Sequence, residues 1–243
     1  MAVSEYYARN GEVSIHYYDS RDKADERLVP IVVCPGLSET AEEYLDFMEA
    51  AAPRRCMLIS FRGRGKSGTP KAGYDLKDHM TDLESVVREA GMNRFHLFAY
   101  SRGVSYALQY ALAYPSEVCS LIIGDYPPEH RAMPAGWAED YIHQYLIPYN
   151  RTSNIRTAAV WGIQRESVQT QLDHPLRMPI MVARGQLEGS LITEEDLAKY
   201  IRMSEAVNVK EYARSGHALK GEDKALFYAD IVQFVNEQDG GKE

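Results

Sequence analysis

The stretch Phe95-His96-Leu97-Phe98-Ala99-Tyr100-Ser101-Arg102-Gly103-Val104 decides the fold. Its first five residues are an apolar run too short for a helix and without polar alternation, the pattern of a strand buried on both faces of a parallel sheet. From Val104 the period changes, and Val104, Ala107, Leu108, Ala111 and Leu112 make a helical stripe that must end before Pro115. Ser101 thus stands where a strand turns sharply into a helix, flanked two residues away by the small Ala99 and Gly103. A serine hydroxyl is a weak nucleophile, and such a turn exposes it to a base. The following helix also aims its positive end and the Arg102 N–H at the place where negative charge would develop. A serine that merely caps the turn is the competing reading.

Outward from this stretch the same alternation repeats. Apolar runs at Ile31–Cys34, Cys56–Ile59, Val118–Ile123 and Pro179–Ala183 predict further buried strands. Between them lie helical stripes: Tyr44, Phe47, Met48 and Ala51, preceded by the capping box Thr40 and Glu43; Leu76, Met80, Leu83, Val87 and Ala90; and Leu197, Tyr200 and Ile201. Phe227, Ile231, Phe234 and Val235 predict a last helix ending before the tail Gln238-Asp239-Gly240-Gly241. The βαβα order argues for an α/β fold with a mostly parallel, doubly wound sheet, whose functional groups gather at the carboxyl ends of the strands. Asn10-Gly11 between Tyr6-Tyr7-Ala8 and Val13–Tyr17 predicts an antiparallel hairpin at the sheet's edge. Residues 126–177 break the pattern with both tryptophans, several tyrosines and clustered prolines. They read as a small helical cap inserted over the strand ends, between core segments 1–125 and 178–243.

Composition narrows the partners. Lys+Arg 27 against Asp+Glu 35 gives a net charge of −8, which argues against nucleic acid and anionic membranes. Cys34, Cys56 and Cys119 are odd in number and lack CxxC spacing, so buried reduced thiols are expected, with neither a disulfide framework nor a zinc site. No run approaches a membrane span, and the first 20 residues lack a basic region followed by an apolar one, so the expectation is a cytoplasmic protein.

With these elements in order, the chain resembles the α/β-hydrolase superfamily from the Val13 region to Phe234. Ala99-Tyr100-Ser101-Arg102-Gly103 is similar to the family's G-x-S-x-G elbow, with alanine in the first glycine's place. The resemblance implies a triad in the chain order serine, acid, histidine. Of the seven histidines only His217, in Ser215-Gly216-His217, follows the last strand and precedes the final helix. The acid is expected at Glu188, in Gly185-Gln186-Leu187-Glu188, where the family has G-x-x-D; the alternative is Asp125, after the preceding strand. The backbone N–H groups of Leu37 and Arg102 are the expected oxyanion donors, although Pro35-Gly36-Leu37 has proline where the family has histidine.

Gly63-Arg64-Gly65-Lys66-Ser67-Gly68 matches a dinucleotide fingerprint and ends like a P-loop. It opens onto Thr69-Pro70 rather than a helix, and Ser60 stands where a P-loop needs glycine. The same residues resemble the family's D-x-R-G-x-G-x-S loop, which points to a brace at the site's mouth around Arg62. The resemblance implies a serine hydrolase for a small carboxylic ester, thioester or lactone, a monomer or homodimer needing no metal or organic cofactor. Trp137, Tyr141 and Trp161 are the candidate substrate-binding aromatics. Carbon–carbon bond hydrolases, cofactor-free dioxygenases and slowly turning receptors share these residues. Haloalkane dehalogenases and epoxide hydrolases are disfavoured, because they carry aspartate at the elbow.

Overall fold

The apolar runs pair into one sheet. The computed structural model describes residues 3–240. Its strands are β1 (Ser4–Asn10), β2 (Val13–Asp19), β3 (Ile31–Cys34), β4 (Cys56–Ile59), β5 (Phe95–Tyr100), β6 (Val118–Gly124), β7 (Glu129–His130), β8 (Thr170–Gln171), β9 (Ile180–Gly185) and β10 (Val207–Tyr212). Eight of them lie in the order β1-β2-β4-β3-β5-β6-β9-β10. β1 and β2 form the expected hairpin, β2 runs antiparallel to β4, and the remaining pairs are parallel. Strand order reverses between β3 and β5. The crevice outside that reversal is where the loops after two neighbouring strands diverge and leave room for a ligand.

Each inner strand divides its side chains between two cores, so the alternation hidden in the apolar runs becomes visible only in three dimensions. Val32, Leu97 and Ile123 face a core closed by α2 (Leu76–Glu89), α3 (Gly103–Ala113) and α6 (Glu194–Met203). Val33, Phe98 and Ile122 face the other, closed by α1 (Leu45–Ala51) and α7 (Lys224–Gly240). The strand β10 has no continuous apolar run because it is an edge: Val207-Asn208-Val209-Lys210-Glu211-Tyr212 needs apolar groups only where it meets the sheet.

The C-terminal helix departs from the sequence reading. It runs on through Gly240, since Asp239 lies against the sheet and pairs with the buried Arg54 at 2.7 Å and with His96 Nε2 at 3.0 Å. Gly241, the last residue of the expected tail, lies outside the described residues. Cys34 and Cys56 are buried, whereas Cys119 is half-buried.

Residues 126–177 add nothing to the main sheet. They hold the β7–β8 ribbon, α4 (Trp137–Tyr141) continuing into a π-helical turn at Ile142–Leu146, and α5 (Thr157–Glu166). Ile142, Leu146, Val160 and Ile163 pack with Tyr74 into a small core of their own. No helix among the described residues is long and apolar enough to cross a membrane.

α3 begins so close to β3 that a Cβ on Gly103 would lie 2.4 Å from the Pro35 carbonyl oxygen and 2.5 Å from that of Cys34. Both are backbone atoms and cannot swing away. Gly103→Ala is therefore expected to lower stability by about 1–3 kcal/mol in urea denaturation. An unchanged midpoint would show that this approach is not tight.

Candidate active site

Ser101 carries the positive φ of a strained elbow, 52°. Its N–H donates to the Gly124 carbonyl at 2.8 Å, and its own carbonyl accepts the Val104 N–H at 2.9 Å, which starts α3. Ala99 takes the place of a glycine at no conformational cost, because it is an ordinary strand residue buried within β5. The hydroxyl is left at the carboxyl end of the sheet, beside the point of strand reversal.

His217 reaches it from the segment between β10 and α7. Its Nε2 lies 3.0 Å from Ser101 Oγ, and its Nδ1 lies 2.9 Å from Asp125 Oδ2. An ionised carboxylate only accepts, so Nδ1 carries the proton and Nε2 is free to take one. Asp125 follows β6 with a φ of 46° and is fully buried; besides His217 it accepts the Ser190 hydroxyl at 2.6 Å and the Leu191 N–H at 3.0 Å. This corrects the sequence reading, which preferred Glu188. In the loop after β9 the Glu188 carbonyl faces Gly216, where an added Cβ would lie 2.2 Å from it, while the Glu188 side chain is exposed. That loop serves the carboxylate through Ser190 and Leu191 instead.

Leu37 and Arg102 flank Ser101, and among the described residues neither backbone N–H donates to another protein group. A Cβ on Gly36 would come within 3.0 Å of the Ser101 Cβ, so the loop after β3 passes directly over the serine. Where a histidine would brace this loop, Glu39 does so. Its carboxylate accepts the Gly36 N–H at 2.8 Å and the Tyr44 hydroxyl at 2.6 Å, and pairs with Lys220 at 2.5 Å. Burial would raise the Glu39 carboxyl, but Lys220, Tyr44 and Gly36 together hold it below the usual carboxylate range. The ion pair thereby ties the Leu37 loop to the His217 segment. Arg64 adds a further brace, its Nε donating to the Leu37 carbonyl at 3.0 Å, and Arg151 donates to the Ser38 carbonyl at 2.8 Å.

These groups open into a cleft of about 500 Å³ lined by Leu37, Glu39, Ser101, His217 and Lys220, together with Tyr141 and Tyr145 from residues 126–177. Trp137, Tyr141, Tyr145 and Tyr149 stack in turn at centroid distances of 5.1, 5.1 and 5.3 Å. Of the three aromatic candidates, Tyr141 lines the cleft and donates to Ser38 at 2.8 Å. Trp137 stands behind it in the stack, and Trp161 lies apart on α5, 43% exposed.

The profile of the family described as alpha/beta hydrolase fold matches residues 29–173, more than half of the chain. The chain belongs to the α/β hydrolase family. It is 20% identical over 210 residues to N-formylmaleamate deformylase of Pseudomonas putida, covering 74% of this chain and 78% of that one. Among solved structures, an esterase from Exiguobacterium antarcticum superposes with a TM-score of 0.78 at 16% identity, covering 95% of this chain and 98% of that one. A haloalkane dehalogenase loop variant from Bradyrhizobium elkanii gives 0.80 at 13% identity, covering 98% of both chains. Identities this low establish the shared fold and leave the reaction to the site itself.

In this α/β hydrolase three positions escaped the sequence reading. Tyr100 stacks on the His217 ring at 5.5 Å, donates its hydroxyl to the His217 carbonyl and accepts the Leu219 N–H at 3.2 Å. Glu39 and Lys220 are ordinary surface residues by type. Their only signal was proximity in sequence, three residues from Gly36 and from His217.

Two of the buried histidines stand beside an arginine that disfavours their charged form. Burial, with Arg102 beside it, pulls His130 down to about 2, and burial, with Arg64 beside it, holds His79 well below the ordinary histidine value. The unfolded chain binds protons at these positions below pH ~6.5 while the folded chain does not, so stability is full above that pH and falls as pH drops through 6 and 5. Histidine-selective NMR is expected to show both rings untitrated from pH 7.5 to 5.5, alongside a falling urea midpoint. A midpoint titration near 6.5 in either ring would contradict it.

Proposed function

We propose that this α/β hydrolase is a serine hydrolase that cleaves a small carboxylic ester, thioester or lactone through an acyl-enzyme on Ser101. The observation that carries the reading is the chain of contacts from buried Asp125 through His217 to Ser101 Oγ, 2.9 and 3.0 Å, beside two unengaged backbone N–H groups. His217 Nε2 takes the hydroxyl proton as Ser101 attacks the substrate carbonyl, and the N–H groups of Leu37 and Arg102 receive the oxyanion. The imidazolium, stabilised by Asp125, then gives that proton to the departing alcohol or thiol. Water attacks the acyl-enzyme with His217 again as base, which returns Ser101 and releases the acid.

The relatives named as a deformylase and an esterase support acyl transfer. The dehalogenase likeness supports only the scaffold, since the elbow here carries a hydroxyl in place of a carboxylate. Tyr141 and Tyr145 form the wall against which the acyl or alcohol part packs.

Wild type is expected to turn over p-nitrophenyl acetate and butyrate, and Ser101→Ala to lose about 10⁶ in kcat. Asp125→Asn should lower kcat by about 10⁴, because the imidazole loses its oriented tautomer, while Glu188→Gln should leave kcat unchanged. Equal rates for wild type and Ser101→Ala would remove the serine from the mechanism, and a larger loss at Glu188 than at Asp125 would reverse the choice of acid.

A further inference from the structure

Behind the Leu37 loop two arginines are buried without a counter-ion. Arg64 is 1% exposed and Arg102 is 2% exposed. The other two buried arginines each have a carboxylate, Arg54 facing Asp239 and Arg62 facing Asp82, both at 2.7 Å. Arg64 and Arg102 form no such pair among the described residues. Arg64 donates to the carbonyls of Leu37 and Arg62 at 3.0 and 2.7 Å and to His79 Nε2 at 2.8 Å. Arg102 donates to the Arg131 carbonyl at 3.1 Å, to Ser167 Oγ at 2.7 Å and to His130 Nε2 at 3.1 Å. All of these acceptors are neutral. Asp75 comes within 3.5 Å of His130 but pairs with neither arginine.

The two guanidinium groups belong to one cluster. The Tyr106 ring stacks on His79 at 4.3 Å and stands 6.0 Å from His130, so it bridges the two histidines that hold the arginines. Arg102 lies near enough to Arg64 to help lower its pKa, beyond the larger effect of burial. Within this cluster Arg64 Nη2, Arg102 Nε and the Tyr106 hydroxyl are buried without a well-formed hydrogen bond, Tyr106 lying against Arg64 and Tyr126 against Arg102, so the groups nearest the two charges are neutral phenols. Two like charges removed from water, with donors left over, are costly unless an anion joins them. The geometry also attaches the pair to both oxyanion donors: Arg64 holds the Leu37 carbonyl, and Arg102 supplies its own N–H at the elbow.

We infer that Arg64, Arg102 and Tyr106 form a subsite for a carboxylate carried by the acyl substrate, so that the substrates are half-esters, or the corresponding thioesters or lactones, bearing a free acid. This rests on the serine-hydrolase reading and adds the substrate class. The arginines do not line the 500 Å³ cleft, so the Leu37 loop, whose carbonyl Arg64 holds, must shift as the carboxylate enters. Charge-assisted hydrogen bonds from a planar guanidinium are the strong ones for this ligand.

The test uses 4-nitrophenyl hydrogen glutarate against the neutral 4-nitrophenyl butyrate. Wild type is expected to favour the acid ester by roughly 10–100-fold in kcat/KM, the value of one or two hydrogen bonds to a charge. That preference should collapse in Arg64→Gln and Arg102→Gln. Tyr106→Phe, which keeps the ring stacked on His79 and removes only the hydroxyl beside Arg64, should reduce it several-fold and guards against misfolding of the arginine variants. A readout without turnover is binding of monomethyl glutarate to Ser101→Ala by calorimetry, with dimethyl glutarate as the neutral control. Preferential binding of the acid, lost in Ser101→Ala combined with Tyr106→Phe or Arg64→Gln, supports the subsite. Equal kinetics for the two esters, or equal binding of the two glutarates, overturns it while leaving the hydrolase reading intact. Failure of wild type to cleave either ester, with the acid still bound, sinks the hydrolase reading and leaves the subsite standing.

Discussion

The turn at Ser101 is the constraint on which the rest of the site depends. A non-glycine residue at a φ of 52° is strained by about 1–3 kcal/mol, and it persists only because its surroundings over-determine it. The N–H is fixed to Gly124 on β6, the carbonyl begins α3, and Gly103 lets that helix press against the carbonyls that end β3. The elbow therefore sits where the sheet order reverses, with the loops after β3 and β6 on either side. Leu37 belongs to the first and Asp125 to the second, so the oxyanion donor and the acid are placed by the same packing that creates the strain.

Holding the imidazole and the oxyanion loop in register takes charged groups away from water, and each is matched. Asp125 has three donors, and Glu39 has Lys220, Tyr44 and the Gly36 N–H. The Glu39–Lys220 pair makes good the absence of a histidine beside Gly36, since it joins the loop carrying Leu37 to the segment carrying His217. Buried pairs of this kind add little net stability, and their value lies in fixing geometry. Arg64 and Arg102 stand out against that matching, because they are equally buried and remain unmatched.

The central strands and most helices were legible because a strand buried on both faces must be continuously apolar, and a helix against a sheet must repeat its apolar stripe. Ser101 and His217 were legible through position. β10 was not, because at the sheet's edge Val207-Asn208-Val209-Lys210-Glu211-Tyr212 has neither a continuous apolar run nor a strict alternation. Both Glu188 and Asp125 stand just past a strand, and Glu188 was preferred because Gly185-Gln186-Leu187-Glu188 resembles the family's G-x-x-D. Only the folded loop shows that the backbone of Glu188 turns inward to Gly216 while Ser190, two residues on, reaches the true partner of His217. The end of α7 was missed for a similar reason, as Asp239 looks like tail until Arg54 is seen beneath it. Long-range ionic partners such as these leave no local periodicity.

The central claim is that Ser101 carries the acyl group. Intact-mass spectrometry of enzyme quenched in acid during turnover of p-nitrophenyl butyrate tests it most directly. A butyryl adduct that maps to the peptide containing Ser101 and is absent from Ser101→Ala is the expected result. Steady turnover with no adduct, even when Asp125→Asn slows the second step, or an adduct on another residue, would contradict it.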